Sequence, residues 1–268
     1  MSKEAKALDK FYTKPIIAKS LTERAKALFP FVQEIIEPSA GNGIFFQFLK
    51  ENFKGAKHTY LDIAPEHPDI IQQDWLEWNK GGVLEEALII GNPPFGKNSS
   101  LAVRFFNKAA EHHPKAIAFV LPKTFMKQRW WKKLSTSYSL LWQEECPKNS
   151  FTFNGGEYDV PCVMQIWERR KRTDSLPEKC VLFKEISPNS FTSNVNPIFI
   201  RRAGGKAGQI VEDYTPSSTY CVEYDSSLVS ALEMHKEEIV EQACKTVGVR
   251  SISLLEIEDI ILNRNVPF

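Results

Sequence analysis

Alternation is what most constrains this chain. From residue 34 to about residue 125, short apolar runs take turns with stretches of helical spacing. EIIEPSAG (34–41) reads as a buried strand entering a glycine turn, and GIFFQFLKENF (43–53) follows with apolar residues three and four apart. HTYLDIAP (58–65), DIIQQDWLEW (69–78), ALIIGNPPF (87–95) and AIAFVLPKTF (116–125) supply further strands. The amphipathic stretch SLAVRFFNKAAEHH (100–113) lies between the last two. LLWQEECP (140–147) and VPCVMQIWERR (160–170) are the sixth and seventh strands. This order predicts an α/β, Rossmann-like fold, with a mostly parallel seven-stranded sheet covered by helices on both faces. The segment KNSFTFNGGEYD (148–159) is too short for a crossover helix, so the last strand is expected to run antiparallel to its neighbour.

Beyond residue 170 the pattern weakens. KRTDSLPEK (171–179) reads as a polar linker, and 171–268 as a small accessory region with helices over 226–246 and 251–262. Residues 1–170 then form the main domain. Lys and Arg number 34 against 33 Asp and Glu, so any nucleic-acid site must come from local clustering of charge. The five cysteines form no CxxC pair and the five histidines no metal spacing, which argues against a metal site and for a reducing, cytoplasmic setting. No apolar run approaches about 18 residues, so no membrane span is expected. The N-terminal residues have no apolar core of the secretory kind.

Three features point to chemistry. In EPSAGNG (37–43), Gly41 and Gly43 allow a tight turn that can approach a ligand. Phe46 stands where a dinucleotide fingerprint needs its third glycine, which disfavours a pyrophosphate and favours a smaller ligand bearing a carboxylate. Asp62 and Asp74 each close a strand. The first is placed to hold ribose hydroxyls, the second an exocyclic adenine amine, with Ile63 and Trp75 flanking the ring. Singly, both acids serve equally well as turn caps. The sharpest feature is Asn92-Pro93-Pro94-Phe95. Two prolines stiffen the turn and remove two donors. The Asn92 side-chain oxygen and the Pro93 carbonyl can then take both hydrogens of one amino group, and Phe95 can stack on its ring.

Outside these motifs, KTFMKQRWWKK (123–133) combines Lys123 and four other cations with aromatic residues, as a nucleic-acid strand would require, and as an amphipathic helix with buried tryptophans would also show. IRRAGGKAG (200–208) offers Arg201 and Arg202 to phosphate, or is an exposed turn. Phe151 and Phe153 are placed either to stack on a base or to fill the core.

Taken with FYT (11–13), these residues resemble the S-adenosylmethionine-dependent amino-methyltransferases, and among them the adenine-N6 DNA methyltransferases of the NPPF type. The likeness runs from about residue 9 to 170. It implies a class I methyltransferase fold and S-adenosylmethionine as cofactor. Tyr12, Thr13, Glu37, Ala40, Gly41 and Gly43 would hold the methionine part, with Asp62, Ile63, Asp74 and Trp75 around the nucleoside. Asn92 would border the cofactor and, with Pro93, Pro94 and Phe95, hold the target adenine of DNA. It further implies a bacterial or phage enzyme, solitary or paired with a restriction nuclease encoded elsewhere. RNA adenine, protein glutamine, and a nucleic-acid-binding subunit without activity are the alternatives.

Overall fold

The computed structural model describes residues 11–153, 155–172, 180–187 and 197–264. The chain divides into two compact units, one from residues 1–126 and 130–173, the other from 127–129 and 174–267.

The first unit is built on a seven-stranded sheet. Its strands are β2 (Glu34–Glu37), β3 (Lys57–Asp62), β4 (Ile71–Gln72), β5 (Ala87–Gly91), β6 (Ala116–Pro122), β7 (Ser139–Glu145) and β10 (Cys162–Glu168), in the order β4-β3-β2-β5-β6-β10-β7. β2 to β6 are mutually parallel where they pair. β10 is inserted antiparallel to both β6 and β7. This is the Rossmann-like, class I methyltransferase arrangement. The chain steps outward from β2 to β3 and β4, then returns to the other side of β2 as β5. In open sheets, ligands lie at the carboxyl ends of strands flanking such a reversal.

The sequence explains the two-sided cover. Every residue of β5 and β6 is buried, as central parallel strands require. Their side chains alternate between two apolar clusters. Ile35, Leu88, Ile90 and Val120 join the cluster with Ile17 and Leu21 of α1 (Pro15–Leu28) and Leu49 of α2 (Phe46–Asn52). Ile36, Ile89, Phe119 and Trp167 join the other, with Phe105 and Phe106 of α3 (Ser100–Glu111). KTFMKQRWWKK forms two short 3-10 helices, 123–126 and 128–133, in place of an amphipathic α-helix.

The link between β7 and β10 also holds a hairpin that the sequence did not suggest. β8 (Phe151–Phe153) and β9 (Gly156–Tyr158) pair antiparallel, and β8 pairs with β1 (Tyr12–Thr13). This small sheet fixes the FYT segment in place.

The second unit contains a three-stranded antiparallel sheet of β11 (Pro197–Arg201), β12 (Ile210–Val211) and β13 (Thr219–Glu223), with α4 (Ser226–Met234), α5 (Lys236–Cys244) and α6 (Leu254–Ile261). The single helix expected over 226–246 is two. The backbone leaves helical values at His235 (φ −99, ψ 16). The apolar pattern Leu228, Leu232, Ile239, Ala243 stays in register across the break, which hides it from a periodicity argument. Within this unit, buried Lys127 pairs with Glu256 at 3.0 Å and Arg129 with Asp259 at 2.6 Å. Among the described residues no helix is long and apolar enough to cross a membrane, and no cluster of His, Cys, Asp or Glu is placed to hold a metal ion.

Phe106 is fully buried and meets Phe119, Tyr138 and Trp167 edge-on. Phe106→Ala should lower the unfolding free energy by about 3–5 kcal/mol, read by chemical denaturation, because the cavity cannot collapse onto stiff rings.

Candidate active site

The glycine turn leaves β2 at Glu37. Gly41 and Gly43 take φ values of +53 and +80, which favour glycine. Asp62, at the end of β3, ties this turn down. Its Oδ2 accepts from the Gly41 N–H and its Oδ1 from the Ala64 N–H, both at 2.8 Å. At Gly43 an added Cβ would lie 2.9 Å from the Phe46 ring, so the neighbouring helix start also demands glycine.

The Asn92 corner follows β5 on the neighbouring strand. Thr13 Oγ1 accepts from Asn92 Nδ2 at 3.0 Å. The Ser39 hydroxyl donates to the Asn92 carbonyl at 2.9 Å. Asn92 Oδ1 is buried and has no hydrogen-bond partner. The turn is closed by Leu101 N–H, which donates to the Phe95 carbonyl at 3.0 Å. The result is a stiff corner carrying one orphaned acceptor. Such an atom costs roughly 1–3 kcal/mol when left unmet.

A cavity of about 340 Å³ joins the turn to the corner. Tyr12, Gly41, Asp62, Ile63, Asp74 and Trp75 line it, as do Asn92, Pro93, Pro94 and Phe95. The structure thus gathers ten of the sequence-derived residues around one space. Ile63 is exposed and offers a face. Asp74 lines the cavity while its Oδ1 caps the Leu76 N–H at 2.9 Å.

Other expectations require correction. Glu37 is 1 % exposed and Ala40 3 %, and neither lines the cavity. Gly43 shapes the turn without reaching the cavity, and Thr13 acts through Asn92. Trp75 is 1 % exposed, its indole N–H bonds the Phe105 carbonyl, and its ring stacks on Trp78. It is a wall and not a free stacking face. Phe151 is fully buried in the core and cannot receive a base, whereas Phe153 remains half-buried beside Phe11 and Tyr158. Lys123 is ion-paired with Glu145 and lies off the cavity. Arg201 donates to Ser218, and Arg202 to the Ser217 carbonyl while lying over Tyr220, so both guanidinium groups are engaged inside the second unit.

The sequence reading missed Ser39, Glu66, Leu101, Arg104 and Phe105, which also line the cavity. Ser39 sits inside the glycine motif, and Leu101 and Phe105 are four apart on α3 after the corner. Those two placements were available as signals. Glu66 and Arg104 carry none.

Burial, and then the Asp62 carboxylate, push the Glu37 carboxyl well above its ordinary value. Burial and Glu66 push the Tyr12 phenol up to about 12. Tyr12 therefore donates its hydroxyl proton to Glu66 Oε1, at 2.6 Å, throughout the neutral range.

The family described as the EDM2 methyltransferase-like domain matches residues 32–174, and the chain belongs to that family. Protein ENHANCED DOWNY MILDEW 2 of Arabidopsis thaliana is 26 % identical over 216 residues, covering 73 % of this chain and 15 % of the relative. The chain therefore spans a small part of that protein's length. Among solved structures, a protein assigned as an RNA methyltransferase from Pyrococcus horikoshii superimposes with a TM-score of 0.49 at 15 % identity, covering 61 % of this chain and 88 % of its own. The N-methyltransferase NodS from Bradyrhizobium japonicum, in complex with S-adenosyl-L-homocysteine, gives 0.43 at 13 % identity, covering 57 % and 86 %.

Glu37 provides a test of the burial. Its folded pKa lies above the ordinary 4.5, so the folded state binds the proton more tightly than the unfolded chain. The stability this gives is complete below about pH 4.5 and is lost as pH rises towards the folded value. Glu37→Gln should flatten that decline, leaving the variant more stable than the parent at pH 8 in denaturant titrations.

Proposed function

We propose that this member of the EDM2 methyltransferase-like family transfers a methyl group from S-adenosylmethionine to the exocyclic N6 amine of adenine in DNA. The observation that carries this reading is the Asn92 corner, which has an oriented amide, an orphaned buried oxygen and an aromatic neighbour on the wall of one cavity.

The cavity suits the cofactor. A glycine at positive φ, two carboxylates at strand ends and an exposed aliphatic face surround a volume within the range of small-molecule sites. Asp62 retains lone pairs for ribose hydroxyls beyond those it gives to the Gly41 and Ala64 N–H groups, and Asp74 retains capacity for an amine. When bound, S-adenosylmethionine supplies an activated methyl carbon.

This chain's residues then act on the amine. Thr13 fixes the Asn92 amide so that Oδ1, not Nδ2, is presented. Asn92 Oδ1 and the Pro93 carbonyl accept the two amine hydrogens, which favours a more tetrahedral nitrogen whose lone pair is no longer delocalised into the ring, and stabilises the charge that develops there. Phe95 holds the ring in place. Alignment of this kind can contribute roughly 7–11 kcal/mol. Neither Asn92 nor the prolines take the proton, which leaves for solvent after transfer. In duplex DNA the adenine must first leave the stack, at a cost of a few kcal/mol that these contacts offset. The catalytic part is residues 1–170, and 171–268 is accessory.

Labelled methyl transfer onto DNA, RNA and total protein, followed by nucleoside analysis, tests the reading. The expected product is N6-methyladenine in DNA. The same product in RNA moves the substrate and keeps the chemistry, and 5-methylcytosine ends the proposal. Asn92→Ala should lower turnover at least about a hundredfold, while S-adenosylmethionine still binds by calorimetry. A loss under about tenfold removes Asn92 from the chemistry.

A further inference from the structure

Arg104 stands on the cavity wall and is exposed to solvent. It belongs to α3, which grows directly out of the Asn92 corner. The N–H groups of Leu101 and Ala102 both donate to the Phe95 carbonyl, at 3.0 and 3.3 Å, so the helix start and Phe95 are held as one piece. Leu101, Arg104 and Phe105 are three and four residues apart and share the face that lines the cavity. Phe105 is 7 % exposed and anchors that face in the core, whereas Arg104 marks where it meets solvent.

Among the described residues Arg104 makes no hydrogen bond or ion pair. Lys123, Arg201 and Arg202, the cations first expected at a substrate, are all engaged elsewhere. On the cofactor reading, the carboxylate of S-adenosylmethionine belongs at Tyr12 and the glycine turn, on segments other than α3. Its sulfonium adds a second positive charge to the cavity, and like charges in one site call for an anion between them. A nucleotide brings that anion. When its base amine meets Asn92 Oδ1 on the inner wall, its sugar and phosphates stay at the mouth. An arginine fork matches phosphate oxygens, and such contacts fix where the substrate sits.

We infer that Arg104 contacts the phosphodiester beside the target nucleotide and sets how deeply the base enters the cavity. The inference rests on the nucleic-acid reading above and names the group that holds that substrate at the mouth.

The oligonucleotide that the methyl-transfer assay labels, DNA or RNA, is the probe. Its binding to the full chain is followed by fluorescence anisotropy between about 50 and 200 mM salt. Arg104→Gln should weaken binding by about fivefold and lower the slope of log affinity against log salt by about one. Arg104→Lys keeps the charge and should restore the slope. Lys54→Gln removes an exposed cation three residues before β3, at the opposite end of the sheet, and should leave affinity within about twofold. A neutral methylphosphonate on one side of the target adenine should cost the parent about what Arg104→Gln costs, and cost that variant nothing further. An unchanged slope in Arg104→Gln, or a loss no larger than that of Lys54→Gln, overturns the inference and leaves the substrate reading intact. So does weaker calorimetric binding of S-adenosylmethionine to Arg104→Gln, which would give the guanidinium group to the cofactor. A parent protein that labels neither DNA nor RNA overturns the substrate reading and this inference together.

Discussion

Two hydrogen bonds to Asn92 depend on the whole topology of the first unit. Thr13 lies 79 residues from Asn92 in sequence and Ser39 lies 53 away. Ser39 reaches the corner because β2 and β5 pair side by side, with Ile36 opposite Ile89. Thr13 reaches it because the hairpin of β8 and β9 adds β1 as a third strand, with Thr13 opposite Phe151. The first contact comes from the reversal of strand order, the second from an insertion in the last connection. With Nδ2 committed to Thr13, the amide can present only its oxygen. Leaving that oxygen unmet is costly unless a donor arrives, so the corner is preorganised at the expense of stability.

The two acids at strand ends show why competing readings of one residue need not exclude each other. A carboxylate has about four lone-pair sites. Asp62 uses one on the glycine turn and one on its own loop, Asp74 uses one on its own loop, and both still line the cavity. Turn capping holds each acid in position, and the remaining capacity is what a ligand would use. Glu37 shows the opposite case. It packs beneath Gly91, where an added Cβ would come within 3.2 Å of its Cγ, and it does not line the cavity.

The sheet was legible because its centre is unambiguous. AIAFVLP and ALIIG are too apolar and too short to be anything but buried strands, and the glycine turn and the NPPF turn follow from where those strands end. The antiparallel β10 followed from the length of a connection. The small sheet was not legible, since strands of two or three residues show no period. Nor can a sequence say which way an aromatic ring beside a key acid points. Trp75 follows Asp74 directly, yet its ring turns into the apolar cluster of α3. Glu66 is hidden for a related reason. Its place on the wall comes from a backbone bond between the loop after β3 and Gly41, which no local pattern encodes.

The charge distribution limits what can give the site its selectivity. The chain is nearly neutral, and the two cationic segments singled out from the sequence, 123–133 and 200–208, spend much of that charge internally. Lys123 is tied to Glu145, Lys127 to Glu256, Arg129 to Asp259, and Arg201 and Arg202 to a serine hydroxyl and a serine carbonyl. A basic run read from sequence therefore overstates the field that a phosphate backbone would meet. On the proposed reading, selectivity would then rest on short-range geometry: the oriented Asn92 oxygen, the Phe95 ring, and the ring group of Phe11, Phe153 and Tyr158, of which Phe11 reaches the cavity. On the proposed reading, contacts of this kind would distinguish a planar base carrying an amine from one without it, because a missing donor would leave Asn92 Oδ1 buried and unpaired.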